Sequence, residues 1–176
     1  MSKGRFSESE IKDIIDNIVI LVDSREKSNA HIIDCFDRFN VNWEKRKLNS
    51  GDYSAVVPAL EKYNLDAIDF TDMIAIERKA SLDEISNNLA AEADRFKREF
   101  ERSQAKIIIM LEDCNYGDIP LHNYRSKLSE KAFLGLLHAF SDKHNAPFVF
   151  IQKEYAALYI YNVFKYRLRN ILKEMK

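Results

Sequence analysis

The sequence predicts an α/β protein in which helices cover both faces of a central sheet. Short runs of β-branched and aliphatic residues, such as residues 18–23 and 106–111, alternate along the chain with stretches of helical periodicity. Continuous apolar runs of this length are typical of strands that are buried on both faces. Strands that alternate with helices indicate a sheet with helices packed on either side.

The elements follow from local signals. Ser7 and Glu10 have the spacing of a capping box, which predicts a leading helix at about residues 7–17. Ser81 and Glu84 predict a second capped helix that continues to about residue 104. Residues 58–71 are interpreted as an insertion or an extended hairpin loop. The other predicted helices are 30–39, 129–143 and 154 to the end; the predicted strands are 18–23, 41–47, 52–57, 73–79, 106–111 and 147–151.

Composition sets the class of protein. The 176 residues, 31% of them charged, suit one globular domain, and no repeat or linker divides them. The longest apolar runs fall far short of the ~20 residues that span a bilayer. The N-terminus has no apolar signal core, so we expect a cytoplasmic protein without a membrane segment. Cys35 and Cys114 have no metal-ligand spacing and are expected to be reduced.

The stretch of residues 74–79, Ile-Ala-Ile-Glu-Arg-Lys, carries the chemistry. Side chains alternate along a strand, so Glu77 and Lys79 share one face while Arg78 lies on the other. A carboxylate beside an ammonium is unusual in a buried strand, because burying a charge costs several kcal/mol unless it is paired or bound to a metal. An ion pair at a sheet edge is the alternative interpretation.

Phosphodiester hydrolysis uses such a pair. Carboxylate oxygens hold Mg²⁺ or Mn²⁺, the metal activates a water, and a lysine offsets the developing charge. A neighbouring strand should supply a second carboxylate, and Asp52 follows the Ser50-Gly51 turn in a suitable place. Asp23 ends the first buried strand and is a third candidate. Asp52 as a turn-closing residue and Asp23 as a strand-end cap remain open alternatives.

Three ordered motifs resemble the nuclease domain of the XPF-type structure-specific endonucleases. They are Val-Asp-Ser-Arg-Glu at 22–26, Gly-Asp-Tyr at 51–53, and Glu-Arg-Lys with an aspartate four residues after the lysine at 77–83. The resemblance implies a restriction-endonuclease-like core with a mixed central sheet. It also implies a metal-dependent DNA endonuclease that uses Mg²⁺ or Mn²⁺, with a possible role in recombination or repair.

The same resemblance assigns roles to residues. Asp52 and Glu77 would bind the metal, with Asp23 completing the acidic cluster, and Lys79 would be the catalytic lysine. Arg78 would hold or orient the site. A supporting shell would comprise Arg25, Glu26 and Asp83, although an acid in the first turn of a helix is also expected from the helix dipole alone.

The chain departs from the family pattern in two ways. No tandem helix-hairpin-helix module follows the nuclease core, so a separate DNA-targeting partner protein is an open possibility. Residues 90–94 read Ala-Ala-Glu-Ala-Asp where many members have a Gly-Arg-Leu turn, as in simpler phage or bacterial stand-alone versions. Flap or fork specificity is therefore not assumed.

Two surfaces are predicted to meet partners. Arg95, Arg98 and Arg102 fall on one helical face and are candidates for contacts to DNA phosphates, although interleaved glutamates equally suit a solvated helix. The last helix has a core seam at residues 161, 164, 168, 171 and 175 and further apolar residues at Ile160, Val163 and Tyr166. This second face, with the family's dimerisation through nuclease domains, predicts a homodimer.

Two functions compete. The first is an active nuclease on DNA, favoured because the acids and the lysine of the motifs are intact. The second is a catalytically silent DNA-binding or scaffold subunit that retained the fold. A nuclease directed at RNA would use the same residues.

Overall fold

The computed structural model describes residues 5–175, which fold as a seven-stranded sheet with helices on both faces. None of the helices in this range is both long and apolar enough to cross a bilayer. The helices are α1 (Glu8–Ile15), α2 (Ala30–Arg38), α3 (Leu82–Leu89), α4 (Ala93–Arg102), α5 (Glu130–His144) and α6 (Ala156–Glu174). The strands are β1 (Val19–Asp23), β2 (Asn42–Arg46), β3 (Tyr53–Val57), β4 (Ile68–Asp69), β5 (Ile74–Lys79), β6 (Lys106–Glu112) and β7 (Phe148–Ile151).

The sheet is mixed, as the resemblance implied. Its strand order is β2-β1-β3-β5-β6-β7, and β4 pairs with β3 beside this path. Strand β3 runs antiparallel to both β1 and β5, whereas β1 with β2, β5 with β6, and β6 with β7 are parallel pairs. The ends of β1, β5, β6 and β7 therefore lie at the same edge of the sheet as the start of β3.

Each face of the sheet has its own core. On one face, Phe36 of α2 and Phe164 and Leu168 of α6 pack with Ile14 of α1. On the other face, helices α3, α4 and α5 bury an aromatic group that includes Phe96 and Phe140, whose rings stack at 4.9 Å. Because both faces are covered, the central strands are apolar almost throughout, which explains their continuous hydrophobic runs.

The 58–71 segment forms a hairpin extension of β3. A 3₁₀ turn at Glu61–Tyr63 leads into β4, whose Ile68 pairs with Val57. Phe70 then donates its N–H to the carbonyl of Ala55 and is fully buried. The prediction of an extended hairpin is confirmed for this segment.

The single helix predicted from residue 81 to about 104 was wrong. The chain breaks at residues 90–92 into α3 and α4, and the N–H of Glu92 bonds the carbonyl of Asn87 instead of continuing the helix. Ala90 and Ala91 favour a helix, so propensity gives no sign of the break. The break turns α4 so that Phe96 and Phe100 contact Phe140 of α5, and this packing outweighs local preference.

The capping predictions differ at the two helices. At α1 both bonds of the capping box form between Ser7 and Glu10. At α3 the Ser81 hydroxyl accepts from the N–H of Glu84, but the Glu84 carboxylate accepts from the N–H of Ala80, one residue before the cap. The second box is therefore only half formed, and the other oxygen of Glu84 lies 3.5 Å from Lys79 Nζ.

The core seam of α6 is confirmed only in part. Phe164 and Leu168 are fully buried. Tyr161, Ile171 and Met175 are half-buried, while Leu172, outside the predicted seam, is fully buried.

The second apolar face of α6 is narrower than predicted. Ile160 is also fully buried and belongs to the core, which corrects its assignment to a partner surface. Val163 is half-buried, and Tyr166 is 56% exposed.

Replacing Leu168 with alanine should lower the free energy of unfolding by about 2–5 kcal/mol, because it leaves a cavity between α6 and the sheet. Chemical denaturation would measure the change. The Arg167→Ala variant, one position along the same helix and exposed, is the matched control and should change it by less than about 0.5 kcal/mol. Equal effects of the two variants would contradict the assignment of the buried face.

Candidate active site

Three predicted acidic residues lie at one edge of the sheet. Asp23 ends β1, Glu77 lies near the end of β5, and Asp52 directly precedes β3. Because β3 is antiparallel to both neighbours, its start meets their ends. The topology thus gathers residues that are far apart in the sequence.

Asp52 is fixed between two strands by three hydrogen bonds of 2.8 Å. Its N–H donates to the carbonyl of Ile76, its carbonyl accepts from the N–H of Asp23, and its carboxylate Oδ2 accepts from the N–H of Arg78. Gly51 allows this approach, because its φ is +68° and a Cβ there would lie 2.9 Å from the Ile76 oxygen. The turn before β3 therefore requires glycine and aims the next side chain.

Glu77 and Lys79 share a face of β5, as the alternation predicted. Lys79 Nζ lies 2.7 Å from Glu77 Oε1 and 3.5 Å from Glu84 Oε1. It also lies 5.2 Å from the ring centre of Phe96, and its side chain is 9% exposed. The ammonium is thus held from three sides at a defined position beside Glu77.

Negative charge exceeds positive charge around Asp52 and Glu77. Burial raises the pKa of Asp52 well above its ordinary value, and the charge of Glu77 raises it further. Burial likewise raises the pKa of Glu77, and Lys79 offsets this only in part. Within the described residues, no donor bonds the second oxygen of either carboxylate. Two carboxylate oxygens are therefore free to take a cation.

Lys79 remains an ammonium in this setting. Burial acts to lower the pKa of Lys79, but the charge of Glu77 and its hydrogen bond outweigh burial, so the net pKa is raised. A lysine with a raised pKa serves as a fixed positive charge and not as a proton acceptor.

Asp23 is clamped by its own loop. Its Oδ1 accepts from the backbone and side chain of Arg25 at 2.7 and 2.9 Å, and its Oδ2 accepts from Arg25 at 2.7 Å and from the N–H of Leu48 at 3.0 Å. Burial would raise the pKa of Asp23, but these bonds outweigh it and the net pKa is lowered. Asp23 and Arg25 therefore form a neutral pair that holds the turn before Asp52.

Across residues 5–175, no three acidic, histidine or cysteine side chains converge on a position that would hold a metal ion. The predicted cluster of three carboxylates is thus not preformed, and the physical reason is that Arg25 and Leu48 occupy both oxygens of Asp23. Asp52 and Glu77 are the two strand-borne acids of the motifs that keep a free oxygen beside the cleft, which Glu26 and Glu99 also line.

Arg78 points to the opposite face of the sheet from Glu77 and Lys79. Its guanidinium lies 2.6 Å from Glu112 at the end of β6 and 3.5 Å from Glu26. The other oxygen of Glu112 contacts His31 of α2 at 3.0 Å. The Arg78 guanidinium thus lies behind the strand, and Arg78 contacts the site only through its backbone N–H, which bonds Asp52.

Asp83 was predicted to lie close to the site, and the partners of its carboxylate within residues 5–175 belong to the loop before α5. Its carboxylate accepts hydrogen bonds from the backbone N–H groups of Arg125 and Ser126 at 2.7 and 2.9 Å, and from the Arg125 side chain at 3.1 Å. Asp83 therefore ties the loop before α5 to the start of α3. Its place in a supporting shell stays a prediction, and its observed contacts are those of a loop anchor.

A cleft of about 450 Å³ opens beside Asp52 and Glu77. Arg102 at the end of α4 lines it, with Glu99 and Phe100 of the same helix. Arg95 and Arg98 are exposed elsewhere on α4, and Arg95 pairs with Glu92. The structure thus brings one of the three predicted DNA-binding arginines to the cleft.

Sequence reasoning missed four side chains that support the site: Glu84, Phe96, Glu112 and His31. Glu84 was interpreted only as a helix cap and Phe96 only as part of a periodic pattern. Glu112 gave a signal, because an acid at the end of an apolar strand is the same feature that drew attention to Asp23. His31 lies in a polar helix turn and gave none.

Comparison with known proteins supports this fold. The sequence profile of the ERCC4 domain matches residues 22–163. Two solved structures, XPF from Aeropyrum pernix and XPF from Aeropyrum pernix in complex with DNA, resemble the chain with TM-scores of 0.61 and 0.59 and identities of 18% and 19%. The match to the first structure covers 85% of this chain and 61% of the XPF chain. The match to the second covers 90% of this chain and 68% of the XPF chain. No curated protein matches the chain by sequence.

The chain therefore spans about three fifths of the length of the first of these structures. At such low identity the likeness establishes the fold, which is the restriction-endonuclease-like α/β arrangement expected from the motifs. The profile match begins at Val22, the first residue of the first motif, and covers all three motifs.

The Asp83→Ala variant should release the 125–126 loop without disturbing the Asp52 and Glu77 geometry. We expect limited proteolysis to cut near residues 121–128 at least several-fold faster, and the free energy of unfolding to fall by about 1–3 kcal/mol because two backbone N–H groups lose their partner. Asp94→Ala, an exposed acid in the first turn of α4, is the control. Unchanged proteolysis of the loop would contradict the anchor role.

Proposed function

Because the chain belongs to the ERCC4 domain family, a family of structure-specific DNA nucleases, we propose that it is an active, divalent-metal-dependent endonuclease that hydrolyses phosphodiester bonds of DNA. The observation that carries the proposal is the pair of half-buried carboxylates, Asp52 and Glu77, each with one free oxygen beside the fixed ammonium of Lys79.

The donor set suits a hard divalent cation. Asp52 and Glu77 offer carboxylate oxygens, which Mg²⁺ and Mn²⁺ prefer, and Mg²⁺ is commonly held by one or two carboxylates with water and phosphate completing its shell. Their raised pKa values mean that each carboxylate gains from a nearby positive charge. A bound cation would supply a Lewis acid for the phosphoryl group and lower the pKa of a nearby water.

The chain's own groups then divide the remaining work. Asp52 and Glu77 would hold the cation, and the hydrogen bonds of the strands on either side keep the Asp52 backbone in place. The Nζ of Lys79 stays protonated and offsets negative charge that develops on the phosphoryl oxygens. Phe96 and the start of α3 shield this ammonium from water and so strengthen its effect.

DNA is the proposed substrate for two reasons. The related XPF from Aeropyrum pernix has been solved in complex with DNA. In this chain, the cleft beside the two carboxylates is lined by Arg102, which is placed to contact a phosphate. We also propose a cytoplasmic protein that acts on branched or flap DNA in recombination or repair, with targeting by a separate protein partner.

A catalytically silent scaffold is the competing function. Loss of the acids or the lysine would favour it, but Asp52, Glu77 and Lys79 are all present and placed together. An RNA substrate would use the same groups. A panel of labelled substrates separates these possibilities.

The proposed catalytic groups are tested by cleavage of labelled single-stranded, duplex, flap and fork DNAs and of RNA with Mg²⁺ or Mn²⁺. We expect Asp52→Asn, Glu77→Gln and Lys79→Met each to reduce kcat by about 10²–10³-fold, since each removes a charge that acts on the transition state. Removing the metal with a chelator should abolish cleavage by the wild type.

Glu101→Gln, an exposed residue of α4, serves as the matched control and should cut like the wild type. If the wild type binds DNA but cuts none of the substrates with either metal, the scaffold function is favoured. If the wild type cuts and Glu77→Gln cuts equally well, the site is wrongly assigned.

The contribution of Arg102 to DNA binding is tested by substitution with alanine. We expect DNA affinity to fall several-fold and the slope of log Kd against log salt to decrease by about 1, the value for one lost phosphate contact. Arg95→Ala is the matched control on the same helix, because Arg95 pairs with Glu92 away from the cleft. Equal loss in both variants would instead indicate a contact along the whole helix face.

We further propose a homodimer that uses a different patch from the one expected. An apolar cavity of about 630 Å³ lies between α2 and α6 and is lined by Phe39, Tyr155 and Leu158. These three side chains are 68%, 53% and 55% exposed. Large apolar side chains grouped around a concave surface are typical of protein interfaces.

Analytical ultracentrifugation tests the dimer. The wild type should sediment at twice the 20.6 kDa chain mass, and Leu158→Asp should sediment as a monomer because it places a charge in the apolar patch. Tyr166→Asp, on the same helix but outside the cavity, is the control and should remain dimeric. A monomeric wild type at micromolar concentration would refute the proposal.

A further inference from the structure

A buried ionic network lies directly behind the candidate site, on the other face of the sheet. Arg78 Nη2 contacts Glu112 Oε2 at 2.6 Å, and Glu112 Oε1 contacts His31 Nε2 at 3.0 Å. The Glu112 side chain is 3% exposed and that of Arg78 is 8% exposed. Burying a carboxylate is costly unless it is paired, and Glu112 is paired on both of its oxygens.

Arg78 connects this network to the cleft through its own peptide. Its side chain faces Glu112, while its backbone N–H donates to Asp52 Oδ2 at 2.8 Å on the cleft side. The bond is the one hydrogen bond that the described residues supply to the Asp52 carboxylate. Any rotation of the Arg78 peptide would therefore turn Asp52 relative to Glu77.

We propose that Glu112 is a positioning residue for the reaction. By holding the Arg78 guanidinium behind β5, Glu112 fixes the peptide that orients the Asp52 carboxylate toward the cleft. The effect on cleavage rests on the proposed nuclease function, whereas the effect on the Arg78 peptide does not.

Glu112 is better suited to this role than Glu26, which also approaches Arg78. Glu26 lies 3.5 Å from the guanidinium in a loop and lines the cleft itself. Glu112 is closer, ends a strand that pairs with β5, and is braced by His31 from α2. A carboxylate held by two elements keeps its partner in place more firmly than one on a loop.

The first test is amide hydrogen exchange followed by NMR in the Glu112→Gln variant. The Arg78 amide should exchange at least about ten-fold faster relative to the amides of β6, because its bond to Asp52 is loosened locally. Phe164→Leu, a core change on the same face of the sheet, is the control for general destabilisation and should leave this ratio unchanged. If Glu112→Gln fails to fold, Glu112→Asp keeps the charge but withdraws it from Arg78, and the same selective change is expected.

The second test is cleavage kinetics. Glu112→Gln should lower kcat by about 10–100-fold, the usual effect of losing a partner that orients a site residue, and change KM for DNA by less than about three-fold. His31→Gln removes only the brace and should lower kcat by less than about five-fold. The proposal would be overturned if the Arg78 amide of Glu112→Gln exchanged no faster relative to β6. It would also be overturned if that amide exchanged faster but kcat equalled that of the wild type. If the wild type itself does not cut, the exchange experiment alone decides.

Discussion

The hydrogen bonds that lock Asp52 between β1 and β5 are the constraint on which the site depends. The Asp52 carbonyl accepts a hydrogen bond from β1, and the Asp52 N–H donates one to β5. Pairing of β3 with both strands therefore places Asp52 between them. Gly51 is the necessary companion, because its positive φ and the close Ile76 carbonyl leave no room for a side chain. The carboxylate of Asp52 is then aimed by backbone geometry and not by a flexible rotamer alone. A site built in this way is set when the sheet closes, which makes the fold and the reacting groups inseparable.

Strand β5 carries two separate tasks because its side chains alternate. Glu77 faces the cleft and Lys79 lies beside it on the same face of the strand, whereas Arg78 faces Glu112 behind the sheet. An apolar residue in place of Arg78 would pack well but would leave nothing to hold the peptide that bonds Asp52. The charges of residues 77–79 therefore do not form one cluster. Glu77 and Lys79 are the proposed catalytic groups, whereas Arg78 holds the peptide that orients Asp52. This division follows from the period of a strand and requires both faces of the sheet to be covered, as they are by α2 and α4.

Much of this arrangement could be predicted from the sequence, because strand periodicity and strand ends are local. The pairing of Glu77 with Lys79 and the gathering of Asp52 beside them follow from alternation and topology. The clamp of Arg25 on Asp23, the anchor of Asp83 on the 125–126 loop and the contact of Glu112 with Arg78 join residues 2, 42 and 34 positions apart. The last two are set by packing between helices and strands, and the break between α3 and α4 has the same origin, since alanines cannot signal it. The contact between Asp23 and Arg25 is local, but the sequence allows Asp23 to bind either a metal or an arginine. The structure shows that Arg25 bonds both carboxylate oxygens of Asp23.

The neutralisation of Asp23 has a consequence for the remaining acids. With Asp23 paired to Arg25 and Arg78 paired behind the sheet, Lys79 is the cation that bonds Glu77 directly, and burial still leaves the pKa values of Asp52 and Glu77 raised. The folded protein therefore carries an electrostatic cost at a residue whose backbone is bonded to both neighbouring strands. A divalent cation that binds only the folded state would relieve this cost and stabilise the fold by mass action. The electrostatic cost of these two acids is thus also what suits them to a metal, because a carboxylate that a fixed cation already balances gains less from binding another.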